Sequence, residues 1–146
     1  MTTVEDELDL RRLMDRYIDA VNRRDGGDWA ATWAEDATWS LMGKEVSGRD
    51  NIVTQWQQMI EGFEFAIMMP SSGSFEVQGD SATGHWYLQE FTRDVGGNAA
   101  LVLGHYRDTY IRAQKHWLYQ TRHYNVIYYG PTDLSGQYSA LIKSKA

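Results

Sequence analysis

Apolar side chains first recur at helical spacing: Leu10, Leu13, Met14, Tyr17 and Val21 form one stripe of an amphipathic helix over residues 4–24. Thr3-Val4-Glu5-Asp6 supplies its capping signal. Asp25-Gly26-Gly27 ends it, because glycine most readily takes the left-handed conformation of a helix terminus. Asp28 is placed to cap a second, short helix over 28–33 that carries Trp29 and Trp33. Residues 37–41, Ala-Thr-Trp-Ser-Leu, read as a strand closed by Gly43. Ser47-Gly48-Arg49-Asp50 opens a third helix over 48–61, with Ile52, Val53, Trp56, Met59 and Ile60 as its apolar positions. Beyond Gly62 the pattern becomes that of strands. An apolar run over 63–69 is ended by Pro70, and strands over 73–77 and 83–91 are joined by a Gly79-Asp80 turn. A strand over 99–111 follows the loop Gly96-Gly97-Asn98, and the last, over 116–129, is rich in Trp and Tyr. Helices followed by a run of antiparallel strands predict an α+β domain.

Composition excludes several functions. A chain of 146 residues suits one domain, 1–146, and its 42% hydrophobic and 23% charged residues suit a globular one. The net charge of −6 argues against nucleic acid as a partner, since phosphate binding needs clustered Lys and Arg. No apolar run approaches the roughly 20 residues of a membrane span, and the first residues are acidic where a signal peptide is basic, so a cytoplasmic location is expected. The absence of cysteine removes disulfides, thiol catalysis and thiolate metal sites. No glycine-rich phosphate loop follows a strand, so no cofactor is expected. Six Trp and nine Tyr predict a pocket with aromatic walls. Trp117, Tyr119 and Tyr129 on the final strand offer more apolar surface than one concave face needs, which predicts a homodimer or homotrimer.

Strand parity sorts the polar candidates. His85, Tyr87 and Gln89 share one face of their strand, and Trp86, Leu88 and Glu90 the other. A tight hairpin centred near Gln114 pairs Tyr106 with Arg122 and Asp108 with Gln120. Tyr106, Asp108, Gln120, Arg122 and Tyr124 then face one way, and His105, Arg107, His123 and Asn125 the other. A one-residue slip between neighbouring strands reverses such an assignment. His85 is the first acid–base candidate, because an imidazole exchanges protons near neutral pH. Tyr17 is either a hydrogen-bond donor to an oxyanion or a core residue of the first helix. Arg122 either holds an anion or is neutralised by Asp108, and Asp108 either orients His85 or serves only Arg122. His105 and His123 sit opposite each other in this register, but no recognised ligand set surrounds them, so no metal is expected.

The stretch LMDRYIDAVNRRDGGDWAATWAEDATWSLMG over residues 13–43 resembles the N-terminal half of proteins in the SnoaL-like, nuclear-transport-factor-2-like superfamily. That superfamily includes ketosteroid isomerases, scytalone dehydratase and a hexachlorocyclohexane dehydrochlorinase. The resemblance implies a cone-shaped α+β barrel, in which N-terminal helices pack on a curved antiparallel sheet around a pocket. LMDRYIDAV resembles the isomerase helix whose tyrosine binds the substrate oxyanion, which implies that role for Tyr17. Ser40-Leu41-Met42 lacks the isomerase's catalytic aspartate. Gly84-His85-Trp86-Tyr87-Leu88 resembles the dehydratase strand that carries one of two pocket histidines, while Met69 stands where the other is found. Asn22 stands at the position of the dehydrochlorinase's aspartate, so the family's His–Asp dyad is absent at both members. Trp39 matches a pocket tyrosine of the dehydratase, and Trp117-Leu118-Tyr119-Gln120-Thr121-Arg122 matches the W-x-x-x-x-R ending that places an arginine in the pocket.

The expected catalytic set is therefore His85, Tyr17 and Asp108, and the expected substrate-binding set Asn22, Trp39, Met69, Tyr87, Tyr106 and Arg122. The expected function is a cofactor-independent lyase or isomerase, dehydratase-like, acting on a small apolar, aromatic or polycyclic substrate. The alternatives from other classes are a non-catalytic binding or assembly module of the same fold and a small β subunit of a ring-hydroxylating dioxygenase.

Overall fold

The computed structural model describes residues 1–133 and 136–138. Helix α1 spans Val4–Arg23, α2 Gly26–Ala30 and α3 Arg49–Ile60. The strands are β1 (Trp33–Leu41), β2 (Lys44–Ser47), β3 (Phe63–Gln78), β4 (Ser81–Asp94), β5 (Ala99–Ala113), β6 (His116–Gly130) and the short β7 (Gln137–Tyr138). One curved, open sheet runs in the order β2-β1-β6-β5-β4-β3, with β7 added to β6. Its pairs are antiparallel except β1 with β6, which run parallel, so the sheet is mixed where antiparallel pairing throughout was expected. Between β1 and β6 the chain runs through β2, α3 and β3 to β5, and that long connection lets β1 lie alongside β6 in the same direction.

Several boundaries differ from the sequence reading for local reasons. Thr3 caps α1 as expected, its hydroxyl accepting from the Asp6 N–H at 3.0 Å. At the other end Arg24, not a glycine, takes the left-handed conformation (φ 58°). The glycines instead begin α2, which Asp25 caps in place of Asp28 by accepting the Asp28 N–H at 2.9 Å. Trp33 consequently leaves the helix and opens β1. Helix α3 starts at Gly48 without a side-chain cap. Strand β2 was not anticipated; it folds back through Met42 and Gly43, both at positive φ, the geometry of a two-residue hairpin turn. Pro70 does not end β3, because β3 is an edge strand and a bulge between Pro70 and Gly73 absorbs the missing N–H.

The register of the last hairpin also moves. Its turn residues, Gln114 and Lys115, have φ of 52° and 69°, and a bulge between Thr109 and Tyr110 shifts the ladder. Asp108 faces Arg122 and Tyr106 faces Tyr124, in place of the expected Tyr106–Arg122 and Asp108–Gln120 pairs. The two faces stay as parity assigned them for Tyr106, Asp108, Arg122 and Tyr124. Gln120, at the bulge, bonds instead to Asp36 at 3.1 Å.

The core lies between the helices and the inner face of the sheet, and it is aromatic. Trp29 stacks on Trp56 with centroids 4.6 Å apart, while Trp33 and Trp39 meet Trp29 edge-on. Tyr17 projects from α1 into this cluster and contacts Trp29, Trp33, Tyr106 and Tyr119. Trp117 and Tyr119 are buried in this same core, 3% and 0% exposed, so they do not supply the assembly surface expected of them; Tyr129 is exposed. Asn22, five residues beyond Tyr17, clamps α1 to the edge strand. Its amide accepts from the Met68 N–H at 2.8 Å and donates to the Met68 carbonyl at 3.0 Å.

Those two bonds satisfy backbone groups that no neighbouring strand reaches, since unpaired polar groups inside a protein are expensive. Asn22→Ala is expected to lower unfolding stability by about 1–3 kcal/mol in urea titration. It should also accelerate hydrogen exchange at the Met68 amide before that of the β4–β5 ladder.

Candidate active site

A cavity of about 140 Å³ opens between the helices and the inner face of the sheet. Helix α1 contributes Tyr17 and Val21, β1 contributes Trp39 and Leu41, and α3 contributes Trp56, Met59 and Ile60. Across from them stand Ala66 and Met68 of β3, Glu90 and Thr92 of β4, Val102 and Tyr106 of β5, and Tyr124 and Val126 of β6. Met42, in the β1–β2 turn, and Tyr129 stand exposed among the lining residues and give the cavity an apolar mouth. Among the described residues no Lys, Arg or His lines it, and Glu90 is the one carboxylate in the lining.

Glu90 reaches the cavity through strand parity. Its backbone pairs with Met68 on one side and Val102 on the other, and all three turn inward. Burial among aromatic and aliphatic side chains pushes its carboxyl up from 4.5 to about 7, against a weak hydrogen bond from the Tyr124 hydroxyl at 3.5 Å. A carboxyl near neutrality can both take and return a proton at physiological pH. Tyr124 is held close over β5 because residue 104 is glycine; a Cβ there would lie 2.8 Å from the Tyr124 ring. Burial also raises Tyr17, Tyr106 and Tyr124 above the usual phenol value, which keeps them protonated hydrogen-bond donors. The Trp39 indole N–H is buried without a protein partner, a further donor in the cavity wall.

Beneath the cavity sits a buried ion pair. Arg122 donates from Nε to Asp108 Oδ1 at 2.8 Å and from Nη2 to Oδ2 at 2.9 Å, and Tyr110 donates to Oδ2 at 2.9 Å. The guanidinium lies 3.5 Å from the Tyr106 ring centroid, 4.1 Å from that of Tyr119 and 4.4 Å from that of Tyr17. Burial opposes both charges. Arg122 is nonetheless held far above its usual value by Asp108 and the surrounding phenols, while Asp108 is pushed up by burial against the pull of Arg122.

The structure brings together Tyr17, Trp39 and Tyr106 of the expected residues and separates the others. Arg122, 1% exposed, is sealed away from the cavity by the tyrosines, and Asp108 serves Arg122 and Tyr110. His85 pairs across the sheet with Arg107, one residue out of step with Asp108, so it and Tyr87 lie on the outer face. That register corrects the expected grouping of His85 with Asp108 and Arg122. His105 faces Asn125 and His123 faces Arg107, so those two histidines are not opposite each other. Met69 is 47% exposed and faces Gln89 outside; Met68 takes the inward place. Asn22 is occupied by the β3 backbone. Glu90 was passed over although parity had already set it opposite His85: a glutamate between apolar positions of a buried strand was the available signal.

The SnoaL-like domain family profile matches residues 2–123. No curated protein matches the chain. Among solved structures, a type 2 hexachlorocyclohexane dehydrochlorinase is similar at 20% identity and a TM-score of 0.80, over 92% of each chain. A candidate aromatic ring hydroxylase from Novosphingobium aromaticivorans is similar at 22% identity and a TM-score of 0.83, over 94% of this chain and 96% of that one. A candidate scytalone dehydratase from the same organism is similar at 18% identity and a TM-score of 0.80, over 95% and 94%. At such identities the likeness establishes the fold.

Two predictions follow from the charges. Arg122→Met, which strands Asp108 in the core, should cost about 3–5 kcal/mol, and adding Asp108→Leu should recover much of it in thermal unfolding followed by circular dichroism. For Glu90, a carboxyl raised in the folded state favours folding while both states are protonated. That stabilisation is complete below pH 4.5 and is lost as pH rises through about 7. Glu90→Gln should flatten the stability profile across that window.

Proposed function

From the premise that the chain belongs to the SnoaL-like domain family, we propose that it is a cofactor-independent lyase or isomerase whose acid–base group is Glu90. The observation that carries this reading is a single carboxyl, raised to about 7, in an otherwise uncharged aromatic cavity. Such a group removes a proton from carbon beside a carbonyl, or delivers one to a leaving group, without a metal. Tyr17, Tyr106, Tyr124 and Trp39 carry the donors of the cavity wall for an oxygen on which negative charge develops, once Tyr106 gives up its weak contact with Met68 Sδ and Tyr124 its long bond to Glu90. The reaction class is proton transfer, with elimination where the substrate carries a leaving group β to the carbonyl.

Size and charge narrow the substrate. An apolar cavity of roughly 150 Å³ holds benzene, and this cavity is about 140 Å³. One ring fits, with substituents directed to the mouth at Met42 and Tyr129; a polycyclic substrate does not fit without rearrangement. With no cation among the described lining residues, an uncharged cyclic ketone or hydroxyketone is favoured over a carboxylate.

The test incubates the protein with uncharged single-ring ketones, with and without a β-hydroxyl or β-halide, in D2O and follows exchange and elimination by proton NMR. Glu90→Gln should lower the rate by about 10²-fold or more. If Glu90 is the base, kcat/KM should rise with pH through about 7. Tyr17→Phe should slow the reaction with little loss of binding. Full activity in Glu90→Gln would remove this carboxyl from the chemistry. Saturable binding without turnover across the panel would favour the binding-module alternative.

A further inference from the structure

The outer face of the same sheet carries the opposite chemistry. One row across four strands reads Ser74, His85, Arg107, His123, and the next across three reads Tyr87, His105, Asn125. Paired neighbours in such rows stand about 5 Å apart with side chains on one side. These residues line a cleft of about 940 Å³. His85 Nδ1 and His105 Nε2 are 3.1 Å apart, and the Tyr87 ring packs against both imidazoles. His105 is 5% exposed, yet its Nδ1 is buried without a partner. Among the described residues Arg107 makes no ion pair, although the chain carries a net charge of −6. The carboxyls in the lining belong to Glu76 and Asp108, and that of Asp108 is turned inward onto Arg122.

Arg107 is a fixed cation in this lining without an ion pair among the described residues, and the imidazoles beside it carry N–H groups that can donate, so the cleft suits an anionic group. A cation is the poorer occupant, since Arg107 repels it and the described residues hold no group of three metal-ligating side chains. We propose that this cleft is a second binding site, separate from the inner cavity, for the carboxylate or phosphate group of a small molecule, gripped by Arg107 with His85, His105 and His123 around it. Arg107 supplies the fork that matches two oxygens of such a group. Thr109 and Thr121, one row away and bonded to each other at 2.6 Å, offer hydroxyls to the rest of the ligand. Burial, His85 and Arg107 now hold the His105 imidazole down to about 4. A bound anion counters the pull of His85 and Arg107 and raises it, while Glu76, the carboxylate in the lining, would repel that anion.

The test titrates inorganic phosphate, and separately benzoate, into the full chain at constant ionic strength with chloride as the balancing anion. Imidazole resonances are followed by NMR and heat by calorimetry. The expected result is saturable movement of the His85, His105 and His123 signals by at least one of the two anions, with a rise in the His105 pKa. Which anion acts decides between phosphate and carboxylate as the ligand group. Arg107→Gln, an exposed change that leaves the core intact, should weaken binding about tenfold or more. The proposal is overturned if neither anion gives a saturable response, or if Arg107→Gln binds equally well. It is also overturned if zinc chloride moves these imidazoles while both anions do not, or if they respond only on dilution that separates copies of the chain.

Discussion

The ion pair of Asp108 and Arg122 is the contact on which the rest of the structure depends. A guanidinium and a carboxylate out of reach of water must meet in good geometry or destabilise the fold. Here both nitrogen–oxygen bonds are short, and three tyrosine rings surround the cation. The pair faces itself across β5 and β6. Slipping that hairpin by one residue would turn one charge to the solvent side and leave the other stranded, so the pair works against every alternative register. It also ties the helical layer to the sheet, because Tyr17 of α1 and Tyr106 of β5 both pack on the guanidinium. The same two tyrosines are the boundary between the ion pair and the cavity.

Helix α1 was legible because its stripe is regular: every residue of the predicted stripe is buried, including Tyr17. The strand faces were legible too, since alternation needs only parity. What parity cannot supply is the offset between strands, and that offset decided the site. His85 looked catalytic because its strand resembles one with a pocket histidine, but its pairing with Arg107 puts it outside. Glu90, five residues on, has the other parity and lies inside. The bulge beside Thr109 and the one after Pro70 involve backbone choices that side-chain patterns do not encode. Trp117 and Tyr119 show the same limit from another side. Their apolarity was plain, but only the three-dimensional packing shows that the chain buries them itself.

One sheet thus separates two chemistries by the direction of alternate side chains. Along β4, Trp86, Leu88 and Glu90 turn to the helices, while His85 and Tyr87 turn away. Along β5, Tyr106 and Asp108 turn inward while His105 and Arg107 turn outward. The inward face is closed by helices, so its polar groups answer to desolvation. Among the described residues the outward face lines an open cleft, so its charges answer to whatever occupies that cleft.

The ion pair also explains how a glutamate beside an arginine-bearing core keeps a raised pKa. An unpaired cation near Glu90 would pull its carboxyl down and hold it ionised. Arg122 does not act on it in this way: burial and the Tyr124 hydrogen bond are the influences on Glu90, and they leave it at about 7. Asp108 pairs with the guanidinium at contact, and Tyr17 and Tyr106 stand between it and the cavity. A family dyad would set its proton transfer by placing a carboxylate against an imidazole. In this chain Asn22, at one dyad position, braces β3, and Met69, at the other, points outward. The proposed proton transfer near neutral pH then needs a group tuned by burial, and Glu90 is one because the Asp108–Arg122 pair lies outside the cavity that holds it.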